Sequence, residues 1–210
     1  SEPGSEPGSE PGSEPGSEPG AAAWPSPCTA AIVRLQTPFA GARMTVSTKG
    51  DGERGDESAF EAARSGDLCA LQAMLHDGLP LNSSNDAGDS LLMLAAYHGK
   101  HALAVVLLDA GADPNQCNDK GQHPLAGVSY KGLSALVELL LAHGANPDGA
   151  PGAARTPLMY AAMYNHALVS KALLDAGADA GLRNPDGLTA LDLARQMRAV
   201  HTIKLLEDSA

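Results

Sequence analysis

Residues 107–115 read LLDAGADPN, residues 140–148 read LLAHGANPD, and residues 173–181 read LLDAGADAG. Each stretch closes a Leu-rich run with a glycine. Those glycines belong to a longer series: Gly78, Gly111, Gly144 and Gly177 recur at a fixed interval of 33 residues. An apolar pair precedes each, namely Met74 with Leu75, Leu107 with Leu108, Leu140 with Leu141, and Leu173 with Leu174. A second marker keeps the same interval, beginning at Ser90, His123, Thr156 and Thr189, each followed two residues later by Leu. Self-similarity at such a period is the signature of a repeat architecture.

Each marker has a mechanical reason. Thr156 can cap a helix N-terminus, and Pro157 suits the first turn, where no intrahelical N–H is needed. PLMYAAMYN then makes one short helix, with small Ala161 and Ala162 for close packing. ALVSKALLDA makes a second, and Gly177 supplies a left-handed residue just past its end. Helices of about two turns do not persist alone in water. Only stacking on neighbours buries their apolar faces, so the repeats are expected to share one continuous core. His123 stands where the other units place a cap and is read as structural. Gly127 lies inside a first helix, at a cost of about 1 kcal/mol relative to Ala. Asn165 replaces a loop glycine, and NPDGAPGAAR (146–155) is rich in Pro, Gly and Ala. The unit over 118–150 is therefore expected to be the softest internal one.

The period of 33 with T-P-L, A-A, LL and G-A-D in one register resembles the ankyrin repeat. Over GDSLLMLAAYHGK and NDKGQHPLAGVSYKG the chain also resembles small stand-alone ankyrin proteins of bacteria and fungi. The resemblance covers residues 57–210 and implies an all-α ankyrin-repeat solenoid of about five stacked helix pairs with hairpin-like finger loops. The first pair is expected over 57–77, fuller repeats near Asn85, Asn118 and Pro151, and a last unit from Asn184. Ahead of it lie five copies of SEPG (residues 1–20), a tract too polar to fold and expected to be disordered, then a flexible leader and linker over 21–56. The first methionine is Met44, which leaves open a product that begins there, with residues 1–43 added or translated from upstream.

Composition narrows the function. Hydrophobic residues make up 43% of the 210 but aromatics only 3%, so Leu, Ala, Val and Met must build the core. The net charge is −11, and from Met44 onward 20 acids face 12 bases. Such a body repels phosphate backbones, which argues against nucleic acid as a partner. No apolar run reaches the length of a membrane span. Cys28, Cys69 and Cys117 are too few and too scattered for a disulfide framework, and a reducing, cytoplasmic setting is the simplest reading. Cys69 reads as a small filler on a short helix. GDGERG (50–55) matches a dinucleotide fingerprint, but no βαβ pattern surrounds it, so it reads as a linker and no cofactor is expected.

The resemblance implies a concave working surface formed by finger tips and the exposed side of each first helix. Tyr97 and Tyr130 stand one period apart there, followed in register by Met163 with Tyr164 beside it. His98 and Lys131 flank them. The fingers contribute Asp86, Asp89, Cys117, Asp119, Lys120, Gln122, Arg155, Arg183 and Asp186. Tyr and Met are large, amphipathic side chains suited to interfaces, although tyrosines packed between helices with their hydroxyls in water would look the same. His98 and His101 form H-x-x-H without a further zinc ligand nearby, so no metal site is expected. No nucleophile set or phosphate loop appears. The expectation is a monomeric, non-enzymatic module that binds another protein. The alternative is a small redox sensor or enzyme using an exposed Cys117.

Overall fold

Helices with a single apolar stripe need partners, and the chain provides them in pairs. The computed structural model describes residues 57–208. The expectations for the SEPG tract, the leader, GDGERG and Met44 fall outside those residues. Among the described residues ten helices follow one another: α1 (Glu57–Ser65), α2 (Leu68–His76), α3 (Leu91–Tyr97), α4 (His101–Asp109), α5 (Pro124–Lys131), α6 (Ser134–Ala142), α7 (Pro157–Met163), α8 (Ala167–Asp175), α9 (Ala190–Gln196) and α10 (Val200–Asp208). Among the described residues there is no strand, only an isolated antiparallel bridge between Ser84 and Ser90. The five expected units are all present.

The first helices α1, α3, α5, α7 and α9 pack in one row, and α4, α6, α8 and α10 form a second row behind them. Small residues let the first row close up: Ala63, Ala95, Ala96, Ala161, Ala162 and Ala194 are fully buried. Leu107, Leu140 and Leu173 hold the same place in the second row and are fully buried too. One hydrophobic cluster runs from Ala59 to Leu206 without a break. Cys69 does not contribute to it. Two residues before the buried Leu71 of α2, it falls on the opposite face and is exposed.

Capping follows the expected register. Ser90 accepts from the Met93 N–H at 3.1 Å and Thr156 from the Met159 N–H at 3.2 Å. Thr189 and Asp192 form a reciprocal capping box, and the hydrogen bonds from Thr189, backbone first, hold the Asp192 carboxyl below its ordinary range. His123 occupies the cap position of α5 but makes no side-chain cap bond. Its ring is buried, neither nitrogen finds a partner among the described residues, and Gly149 lies against it where a Cβ would collide. Burial pushes the imidazole down to about 4.

The fingers are tied by side-chain acceptors at the repeat interval. Asn85, Asn118 and Asn184 each accept from two backbone N–H groups of their own turn, at 2.8–3.1 Å. Pro151 stands at that position in the fourth unit and has no such acceptor. Between units, Asn82 accepts from the Asp113 N–H at 3.0 Å, Asn115 from Asn146 at 2.8 Å and Asp148 from Asp179 at 2.7 Å. Asn165, at φ 58°, accepts from the N–H groups of His201 and Thr202 and so caps α10 from the unit before.

Two outcomes are expected from this framework. Gly144 has φ +85° with nothing within 4 Å of an added Cβ, so a substitution there meets strain without a clash. Gly144→Val should lower stability by about 1 kcal/mol or more, read as a shift of the urea midpoint. The second concerns pH. An unfolded histidine titrates near 6.5, whereas folded His123 takes its proton only near 4. Between those values the unfolded chain binds more protons, so stability falls as pH drops through the window. The loss should approach about 3 kcal/mol near the lower end. His123→Thr should remove most of it, as urea unfolding at neutral and mildly acid pH will show.

Candidate functional site

A hollow of about 380 Å³ opens between the exposed faces of α3, α5 and α7. Leu94, Gly127 and Tyr160 occupy one repeat position in successive units, and Tyr97 with Tyr130 occupy another. Where its neighbours carry Leu and Tyr, Gly127 carries nothing. A Cβ on it would stand 3.2 Å from Tyr97 Cδ2, so the Tyr97 ring lies against bare helix backbone. The missing side chain is what leaves space between the rings. Asp89, Asn118, Lys120 and Gln122 close the hollow on the finger side. Asn118 donates to Asp89 at 2.8 Å and fixes that carboxylate.

The tyrosines hold one another in place. Tyr130 meets Tyr160 edge-to-face at 6.2 Å and Tyr164 at 4.7 Å, separations at which such pairs are favourable. The Tyr130 hydroxyl is the main cause that raises the Tyr164 hydroxyl above its ordinary range. His166 stacks on Tyr164 and bonds the Tyr130 carbonyl at 3.1 Å. At the other end the Lys131 ammonium sits 3.9 Å from the centre of the Tyr97 ring, a cation–π contact of about 0.5–1 kcal/mol at an exposed place. Tyr97, Tyr130 and Tyr164 nevertheless keep 40%, 39% and 44% of their surface exposed.

A family model described as ankyrin repeats (3 copies) matches residues 59–150 and again residues 128–210. The chain belongs to the ankyrin-repeat family. A search of the curated proteins finds no match to it. Ankyrin repeats generally serve as protein–protein interaction modules.

On this ankyrin scaffold the sequence-derived residues divide into groups. Tyr97, Tyr130, Asp89, Lys120 and Gln122 line the hollow. Lys131 and His98 cluster on Tyr97, the latter edge-on at 5.6 Å, and Tyr164 adjoins Tyr130. Arg155 is half-buried and close enough for its charge to act on Tyr164. Met163 turns partly into the core. Asp86 and Asp119 are exposed on the fingers and do not line the hollow. Arg183 donates to the Gly187 carbonyl at 2.7 Å, and Asp186 accepts from Asn184 at 3.4 Å, so both serve their own turn. Tyr160 was missed. Its period-mate is Gly127, and only the pairing of a bare position with a tyrosine one unit on could have signalled it.

The chemistry available elsewhere is slight. Cys117 is exposed and free, and its thiol donates weakly to the Asn115 carbonyl at 3.5 Å. Partial burial, then the Asp113 charge, pushes that thiol up, away from the thiolate a redox sensor needs. Among the described residues no three His, Cys, Asp or Glu gather as metal ligands, and no helix is long and apolar enough to cross a membrane.

Gly127 should favour the hollow at the expense of the helix. Gly127→Ala is expected to raise stability by up to about 1 kcal/mol, because the half-exposed Tyr97 ring can shift by the few tenths of an ångström required. A urea midpoint that moves down would show that the ring cannot give.

Proposed function

We propose that this protein is a monomeric, non-enzymatic binding module whose partner protein lies across the tyrosine-lined hollow of the second, third and fourth units. The observation that carries this reading is the gathering of all four tyrosines around or beside one hollow, in a chain with 3% aromatic residues. Rings of this kind present large rigid surface at low cost in side-chain entropy. The core does not need them: the shared apolar cluster is built from Leu, Ala, Val, Met and Phe60, without a tyrosine. Ankyrin repeats are generally interaction modules, which supports the same reading. The finger groups Asp89, Lys120 and Gln122 would set orientation and partner choice more than affinity.

The test is a double variant of the full chain, Tyr97→Ala with Tyr130→Ala, used as bait in cell extract. It should lose the proteins that the parent retains while its helix content and melting stay nearly the same. Retention of the same proteins by a folded variant would place the binding surface elsewhere.

A further inference from the structure

The turns that join each first helix to its second carry an unusual charge distribution. Residues 98–101 read HGKH, 131–134 KGLS, 164–167 YNHA and 197–201 MRAVH. They hold Lys100, Lys131, Arg198 and four of the seven histidines, and no carboxylate, in a chain with 25 acids and 14 bases. The acids collect at the opposite end of the helices, as Asp109, Asp113, Asp148, Asp175 and Asp179. Among the described residues no carboxylate stands within ion-pair distance of Lys100, Lys131 or Arg198. Arg64 differs: Glu57 and Glu61 neutralise it at 2.9 and 3.2 Å, and Asp67 opens α2. The cationic edge thus belongs to the second to fifth units.

The side chains on this edge reach back across the repeat boundaries. A Cβ on Gly66 would stand 2.8 Å from Lys100 Cδ, so the Lys100 stem lies over the preceding turn. Lys131 reaches back onto Tyr97, and His166 lies over Gly132. The charges therefore run as a strip rather than as isolated points. His98 beside them has its imidazole lowered first by burial and then by Lys131, Arg64 and Lys100, with Glu61 acting the other way. Lys131, resting on Tyr97, brings this edge up to the rim of the hollow, and Lys120 stands on the finger side of it.

We infer that the occupant of this surface is an acidic peptide segment, with carboxylates along the Lys100–Lys131 edge and an apolar or aromatic side chain seated in the hollow beside Gly127. The inference rests on the groove reading above and adds the chemistry of the partner. Charge complementarity carries it. Cations without a carboxylate partner along the turn side of the hollow reward carboxylates placed there beside an anchor, and at physiological salt such attraction acts within about 8 Å. A basic segment would meet the same cations as repulsion. A nucleic acid would meet the finger carboxylates along its line of phosphates.

The test selects a phage-displayed library of random short peptides against the full chain. Recovered peptides should be net negative and carry an aromatic or large apolar residue. Their binding should weaken by about tenfold or more in Lys100→Glu with Lys131→Glu, fall with added salt, and also be lost in Tyr97→Ala with Tyr130→Ala. Circular dichroism confirms that both variants fold. Peptides that need the tyrosines but are basic, uncharged or indifferent to the lysines would overturn the inference and leave the groove reading standing. Peptides indifferent to both pairs, or no enriched peptide at all, would overturn both. A DNA oligonucleotide that displaces the peptides and depends on the lysines alone would show a polyanion site and overturn the acidic-peptide assignment.

Discussion

Burial of an apolar seam between neighbouring two-turn helices is the constraint on which everything else in this protein depends. A helix of seven to nine residues forms too few hydrogen bonds to offset its own nucleation, and each of the ten helices is of that length. Their stability comes from contact with the units before and after. Alanines in the first row permit the close approach, and leucines in the second row fill the space behind. The polar parts follow the same logic. Asn82, Asn115 and Asp148 each lend an oxygen to the next unit, and Asn165 caps a helix that is not its own. The chain is thus cross-linked along its length by apolar contact inside and by side-chain acceptors at the finger side.

The third unit gives up part of this support. Val128 and Ser129 replace the alanine pair found in its neighbours, and Ser129 Oγ is buried without a partner among the described residues. His123 takes the place of a capping hydroxyl without capping, and Gly127 weakens α5 from within. These departures coincide with the hollow, since both His123 and Gly127 line it. Local weakness next to exposed aromatic surface is the pattern of a unit shaped by something other than its own folding. The rings and charges around it are held by one another: Lys131 on Tyr97, His166 on Tyr164, Tyr130 between two tyrosines.

Much of this was legible in the residues. The interval of 33 located the five helix pairs, their caps at Ser90, Thr156 and Thr189, and the left-handed glycines at their ends. Such features are local, and each position states its own requirement. The alignment of Tyr97 with Tyr130 was also visible, because equal spacing in a repeat means equal place on the surface. Other features were not legible. Lys131 could be placed beside Tyr130, but its reach back to Tyr97 depends on how far one unit stands from the next. Gly127 showed its cost to the helix but not the space it opens, since that space is bounded by rings from three different helices. Cys69 looked like filler because a nine-residue helix with seven apolar residues does not reveal which face its neighbours cover.

The sequence by itself determined the repeat, its register and its elements, because capping, turn chemistry and apolar periodicity act over a few residues and recur unchanged. Only the tertiary structure decided what the exposed residues form together. A hollow, a shared ring cluster and the reach of Lys131 onto Tyr97 are properties of the distances between units, and those distances are set by how small side chains pack across each boundary.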